Sequence, residues 1–337
     1  GQEVGGLKGT RGDGSEEIGV LIELTNPRAR LSSSENRGRI FSALGELCWY
    51  LSGSESLKQI EYYIPAYKKE TEDGETISGA YGPRIFGTPT KDKMFKWNDQ
   101  LSTIIKRLGA KETRETKRAV VTIFDRTDLV SRFDYDLGRK EVPCTISFQF
   151  LVRRGKLHMI TNMRSNDAYF GLPHDVFTFT MIQEIVARSI GCSLGTYKHF
   201  VGSLHLYDES REKAEKYLEE GLQSTAHEMP RMPSGCQLNR LGDFLVLEDA
   251  IRLGKRFAEK EVRYGSYWGD LAVLLLAYKK VRERSPKGDI TQLVDKLKYK
   301  IYAKYIQEKL KPKSLDTNII DEKQQLKLLN ETEYDED

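Results

Sequence analysis

Apolar residues recur along the chain at two periods. In residues 39–51 (RIFSALGELCWYL), Ile40, Leu44, Leu47 and Leu51 return every three or four positions, the spacing of a helix with one buried stripe. Residues 98–108 (NDQLSTIIKRL) repeat that pattern more weakly. Residues 176–190, with Phe177, Met181, Ile182, Ile185, Val186 and Ile190, predict a helix buried on most sides, preceded by Pro173 and Asp175. Helical spacing returns in residues 243–258, 269–284 and 289–311, the last opening on Asp289 and Gln292 as an N-cap and its capping-box partner. Strand patterns lie between, at 18–24 (IGVLIEL), 119–124, 145–152 (TISFQFLV), 156–162 (KLHMITN) and a short run at 204–207. Arg153-Arg154-Gly155 joins the third and fourth of these as a hairpin, with glycine taking the backbone angle that side chains disfavour. The first fifteen residues (GQEVGGLKGTRGDGS) hold six glycines and predict little regular structure. The last eight hold five acidic residues, the end of an expected mobile tail over 316–337. No internal repeat is visible.

Composition narrows the class without naming a chemistry. A chain of 337 residues, 39% of them hydrophobic, can bury a core without staples. The 53 basic and 50 acidic residues leave a net charge of +3, too little to suggest a nucleic-acid partner. The longest apolar run, residues 271–278, falls far short of the ~20 residues a membrane span needs. Nothing at the start of the sequence reads as a signal peptide. Cys48, Cys144, Cys192 and Cys236 lie far apart with no CxxC, so neither a zinc site nor a disulfide framework is expected. The expected setting is a reducing, cytoplasmic one, with no membrane, nucleic-acid or metal partner.

Cys144, at the start of a strand, is by itself ambiguous, because unpaired cysteine is often a small buried hydrophobe. Its company changes the weighing. Arg164-Ser165-Asn166-Asp167 ends the partner strand of the hairpin, Gly171-Leu172-Pro173-His174-Asp175 follows, and His205 and Tyr207 come later. An arginine beside a thiol favours the nucleophilic thiolate and can also hold a phosphate bidentately. Glu46 sits among apolar neighbours in LGELCWYL, where burial would raise its pKa toward acid–base work.

Taken jointly, VPCTISFQF around Cys144, MRSNDAYFGLP around Arg164, GELCWYLSG around Glu46, GAYG around Tyr81 and GSLHLY around His205 resemble the thymidylate synthase superfamily in order and spacing, from about residue 9 to about residue 222. The resemblance implies an α/β (α+β) fold whose mixed sheet packs against its copy in a homodimer, with a catalytic domain over 1–242, a helical extension over 243–315 and the tail beyond. It implies a nucleotide 5'-monophosphate substrate and 5,10-methylenetetrahydrofolate as one-carbon donor, with no metal. Carried over by position, Cys144 adds to carbon 6 of a pyrimidine; Glu46 and Tyr81 serve the catalytic proton and water network. Arg11, Arg164 and Ser165 match phosphate ligands, and Lys117 and Arg118 match a pair reaching the phosphate across the dimer. Lys117 stands where arginine is usual, which removes a bidentate fork. His205 and Tyr207 match the sugar-binding pair, and Asp167 and Gly171 match folate contacts. Arg28 and Arg30 read equally as further phosphate ligands or as solvated charges.

Departures from the family pattern carry the substrate expectation. Asp175 stands where thymidylate synthases carry asparagine. An amide suits uracil, whereas a carboxyl can accept from the exocyclic amine of cytosine and share a proton with ring nitrogen 3. Helix capping does not explain the change, since Asn and Asp cap about equally well. Residues 61–82 hold no tryptophan, where the family shields its methylene intermediate from water. The usual C-terminal region is replaced by lysine-rich helices, Met163 replaces the family's glutamine, and Thr145 replaces its common histidine. These features resemble the cytidylate hydroxymethylase branch, and the opening segments look closer to the CMP enzymes of nucleoside-antibiotic biosynthesis than to dCMP enzymes. The expectation is therefore a pyrimidine nucleotide 5-hydroxymethylase acting on CMP or dCMP. The alternatives are a thymidylate synthase acting on dUMP, and a catalytically silent nucleotide- or RNA-binding homologue.

Overall fold

The computed structural model describes residues 4–9, 12–34, 39–87, 99–129, 141–222, 224 and 227–311; Arg11 and the tail over 316–337 lie outside the described residues. In chain order, strands β1 (Val4–Gly9) and β2 (Gly12–Leu24) precede helices α1 (Ile40–Leu51), α2 (Leu57–Glu61), α3 (Tyr81–Phe86) and α4 (Gln100–Gly109). Strands β3 (Val120–Thr122), β4 (Thr145–Arg153) and β5 (Lys156–Asp167), helix α5 (Gly171–Ser189), strand β6 (Ser193–Tyr207) and helix α6 (Asp208–Glu219) follow. Helices α7 (Leu238–Leu253), α8 (Tyr267–Arg282), α9 (Lys287–Asp295) and α10 (Ala303–Leu310) close the described chain.

The strands form a six-stranded mixed sheet in the order β1-β2-β6-β5-β4-β3, parallel only between β5 and β6. Helix α5 is the crossover that makes that parallel pair possible, and it lies on the sheet face that it connects. Helix α1 packs on α5, and α8 packs on α1 in turn, so α1 is covered on both sides. That is why every residue of α1 except Ser42 is buried, beyond the single stripe that its spacing predicts. One continuous apolar core runs from Leu31 to Ile306 and takes in the C-terminal helices.

The hairpin expected at residues 145–162 is present, with Arg153 opposite Lys156. Both turn residues have positive φ, Arg154 at 50° and Gly155 at 71°, the geometry that matches strand twist in a two-residue turn. A bulge between Thr145 and Ser147 shifts side-chain parity. Phe148, Phe150 and Val152 face the core, but at the strand's start it is Thr145 that does so, with half-exposed Cys144 just before it.

Several expectations are corrected. The glycine-rich start is sheet, because β1 and β2 form a hairpin through backbone hydrogen bonds that any residue supplies. Gly14 is required there by close approach: a Cβ would lie 2.4 Å from the Leu206 carbonyl oxygen on β6. Helix α5 begins at Gly171, not 176, since Pro173 falls among the first residues, whose N–H groups have no helical partner anyway. Asp175 therefore caps nothing and lies inside the helix. Strand β6 is fifteen residues long, its apolar positions interrupted by Lys198, His199 and Ser203. Residues 289–311 are not one helix: the buried Asp270 carboxylate accepts from the backbone N–H groups of Lys298 (3.0 Å) and Tyr299 (2.7 Å) and holds a break between α9 and α10. Asp289 lies in the first turn of α9, after Pro286, and caps nothing.

Candidate active site

The β4–β5 register places Cys144 beside Arg164: the Arg164 backbone N–H donates to the Cys144 carbonyl at 2.8 Å. The Arg164 side chain, itself exposed, donates from Nε to the Pro143 carbonyl (3.0 Å) and from Nη2 to the Val142 carbonyl (2.8 Å), clasping the backbone that leads into the cysteine. Tyr81, at the start of α3, reaches the same strand and accepts the Thr145 N–H on its hydroxyl oxygen at 3.1 Å. Burial pushes the Tyr81 hydroxyl well above its usual range, and the negative charge available to Cys144 and Asp175 adds to it.

Two carboxyls share this interior. Glu46 on α1 is 6% exposed and accepts from the Tyr67 hydroxyl at 2.9 Å. Loss of water raises its pKa to about 7, against the partial relief of hydrogen bonds from Tyr67 and Tyr50. Asp175 on α5 is pushed well above the usual carboxylate range, first by burial and then by the charge of Glu46. Its Oδ2 accepts from Asn166 Nδ2 at 2.7 Å. The aromatic rings of Tyr50, Tyr81 and Phe179 stack in sequence, with centroids 4.8 and 6.5 Å apart.

The remaining expected residues fall into three groups. Ser165, His205 and Tyr207 gather where β5 and β6 end: Ser165 Oγ is 3.4 Å from His205 Nδ1, and the Tyr207 ring meets the imidazole edge-on at 4.8 Å. Asp167 turns its carboxylate onto the N–H groups of Tyr169 and Phe170, shaping the turn into α5 where Gly171 begins. Lys117 and Arg118 are exposed ahead of β3, whose register places Arg118 roughly seven residue steps, about 23 Å, along β4 from Cys144. Within one chain they do not meet the cysteine. Arg28 pairs with Glu228, and fully buried Arg30 pairs with fully buried Glu184, so Arg30 is not the solvated charge of one sequence alternative.

A pocket opens between α1 and α5, lined in part by Arg30, Arg39, His174 and Tyr305. Tyr305, on α10, donates to the Ser32 carbonyl at 2.7 Å, so a C-terminal helix forms one wall. Among the described residues no group of His, Cys, Asp and Glu could hold a metal ion, and no helix is long and apolar enough to cross a membrane. The four cysteines form no disulfide.

The sequence reading assigned no role to Asn166, Thr161, Tyr197 and His199, although all four lie in the buried interior around Asp175. A signal was present. Residues 197, 199 and 201 alternate onto the core face of a strand, and a tyrosine and a histidine there must find hydrogen-bond partners.

The family model described as thymidylate synthase matches residues 34–246, more than half of the chain and including every residue placed around Cys144. The chain belongs to the thymidylate synthase family. A protein of Delftia phage PhiW-14 named deoxyuridylate hydroxymethyltransferase is 32% identical over 60% of this chain and 56% of its own length. One of the same name from Bacillus phage SP01 is 29% identical over 60% of this chain and 53% of its own. The chain thus spans about half the length of these curated relatives. Among solved structures, the thermostable thymidylate synthase A from Bacillus subtilis has a TM-score of 0.49 at 21% identity, covering 61% of this chain and 71% of that one. The fold, a mixed sheet layered with helices, is that of the family.

Proposed function

We propose that this member of the family is a pyrimidine nucleotide 5-hydroxymethylase with cytidylate, CMP or dCMP, as its substrate. The observation that carries the reading is Asp175, a buried carboxyl facing the Glu46 and Tyr81 interior where the synthases carry an amide. Burial and the charge of Glu46 raise its pKa and favour its protonated form, and a protonated carboxyl presents a donor to ring nitrogen 3 of cytosine and an acceptor to the 4-amino group. The thiolate of Cys144 adds to carbon 6, and carbon 5 then attacks the methylene carbon, which the family's co-substrate methylenetetrahydrofolate supplies. Tetrahydrofolate leaves as carbon 5 loses its proton. Water, deprotonated by Glu46, adds to the exocyclic methylene as Cys144 departs, so no hydride moves and the reaction is redox-neutral.

Arg164, Ser165 and Arg11 take the phosphate in this reading, His205 and Tyr207 the sugar, Tyr81 the proton network, and Asp167 and Gly171 the folate. The pocket beside Arg39 and His174 suits an anionic co-substrate. Lys117 and Arg118 reach the phosphate of a second copy, and residues 243–315 are a helical extension of the catalytic segment 1–242.

A second reading, dUMP as the substrate of the same hydroxymethyl transfer, is favoured by the names of the phage relatives. A protonated carboxyl also satisfies uracil, donating to O4 and accepting from the ring N–H. Product mass decides. When CMP, dCMP and dUMP compete in the presence of methylenetetrahydrofolate, gain of CH2O on a cytosine nucleotide is the expected result. The same gain on dUMP selects the second reading. Gain of CH2 on dUMP, with dihydrofolate formed, overturns both.

A further inference from the structure

A file of hydrogen-bonded side chains runs through the core behind Asp175 and takes no part in the chemistry above. The Tyr197 hydroxyl lies 3.1 Å from Thr161 Oγ1 and 2.7 Å from His199 Nδ1. His199 Nε2 lies 3.2 Å from Asn166 Oδ1, and Asn166 Nδ2 donates to Asp175 Oδ2 at 2.7 Å. Tyr197, His199 and Thr161 are fully buried, and Asn166 is 4% exposed.

The order of hydrogens in this file follows from the orientation of the Asn166 amide. With the amide nitrogen of Asn166 turned to Asp175, its oxygen needs a donor, so His199 must carry its hydrogen on Nε2. Burial lowers the His199 pKa to about 4, which keeps the ring neutral and leaves a lone pair on Nδ1. Tyr197 has a single hydroxyl hydrogen and gives it to that lone pair. Thr161 Oγ1 completes the shell of the tyrosine hydroxyl at 3.1 Å. The packing holds the side chains of the file in place. A Cβ on Gly171 would lie 2.9 Å from Asn166 Nδ2, so the start of α5 closes over the amide. The Phe179 ring lies nearly parallel to the imidazole, 19° apart with centroids at 6.4 Å.

We propose that Asn166, backed by His199 and Tyr197, is the positioning device for base discrimination: it commits Oδ2 of Asp175 to accepting from the protein and so fixes the acid proton on Oδ1. The inference rests on the reading of Asp175 as the group facing the base. A carboxyl with its proton fixed on one oxygen offers a single donor–acceptor pattern, which matches one pyrimidine edge and mismatches the other. A carboxyl free to carry its proton on either oxygen offers both patterns and tolerates both bases. Loss of the file therefore relaxes discrimination before it abolishes turnover. Tyr197→Phe removes the hydrogen that fixes the His199 tautomer. His199→Phe removes the donor to Asn166, and His199→Gln returns a side-chain N–H to that place.

The test measures kcat/KM for cytosine and uracil nucleotides with the full chain and methylenetetrahydrofolate, alongside Tm, in these three variants and in Asp175→Asn. Asp175→Asn is expected to change the base ratio. Tyr197→Phe and His199→Phe are expected to move the ratio toward one by about tenfold, the scale of one mis-set buried hydrogen bond, with His199→Gln restoring it. If His199→Phe does not fold, Tyr197→Phe, which deletes one hydroxyl, still carries the test. Equal losses on both nucleotides in the Tyr197 and His199 variants, with a changed ratio in Asp175→Asn, overturn the positioning role and leave the reading of Asp175 standing. An unchanged ratio in Asp175→Asn removes that reading itself, and the positioning role with it.

Discussion

Glu46 lies in a compartment where ionisation costs more than it does in water, and that has a sign that can be measured. Its pKa is 4.5 in an ordinary setting and about 7 here, so between those values the folded protein holds a proton that the unfolded chain has released. Stability therefore falls as pH rises through this window and levels off above it, by about 3 kcal/mol for a shift of this size. Asp175, also raised, adds in the same direction. Denaturant titrations at about pH 5 and about pH 8 should show the loss in the parent and a smaller one, by about the Glu46 share, in Glu46→Gln. A slope unchanged by the substitution would place the titration elsewhere. If Glu46 is the base for water, as proposed, kcat/KM should have a limb rising near pH 7 that Glu46→Gln erases. At this scale the resemblance singles out Cys144, Glu46 and Asp175, and the structure sets Glu46 and Asp175 in one interior. Their supports were not: Tyr67 hydrogen-bonds Glu46 from 21 residues away, and His199 meets Asn166 across 33. Sequence neighbours carry no trace of such pairings.

Helix α1 delivers Glu46, and its seating depends on the residue before it. A Cβ on Gly45 would lie 2.1 Å from Cγ of the Tyr63 ring, which cannot retreat easily because its hydroxyl is held by Glu248 at 2.7 Å. Two effects oppose each other in Gly45→Ala. Helix propensity favours alanine by up to about 1 kcal/mol, whereas overpacking costs about 1–3 kcal/mol. A contact this short puts the cost at the upper end, so Tm should fall, and kcat with it as Glu46 is displaced. A rise in Tm would show that Tyr63 moves aside. Elements were legible where one period dominates, as in the β4–β5 hairpin with its Arg-Gly turn. They were obscured where tertiary demands mix the signals. Pro173 hid the start of α5, and the polar residues in β6 hid a central strand. Gly14 looked like loop although it meets a neighbouring strand.

One face of the sheet carries the helices; the other leaves large apolar side chains in the open. Leu21 is 57% exposed and sits in register with Phe200 at 39%. Apolar side chains gathered on a flat sheet face mark an interaction surface more than scattered exposure does. Lys117 and Arg118 point to the occupant. They are about 23 Å from Cys144 in their own chain, too far to touch a nucleotide bound there, but a second copy docked through this face can bring them to it. In the proposed reading, a twofold pairing would account for the apolar face and for the place of the basic pair together. Leu21→Lys with Phe200→Asp should convert a dimer to a monomer in sedimentation and abolish turnover. Arg118→Ala should leave the dimer intact and raise the nucleotide KM about tenfold or more, the scale of one lost charge-assisted hydrogen bond. In a protein that acts as a monomer, Arg118 is remote from every substrate atom. An unchanged KM in Arg118→Ala, or full activity in the monomeric double variant, would therefore show that the site is complete within one chain.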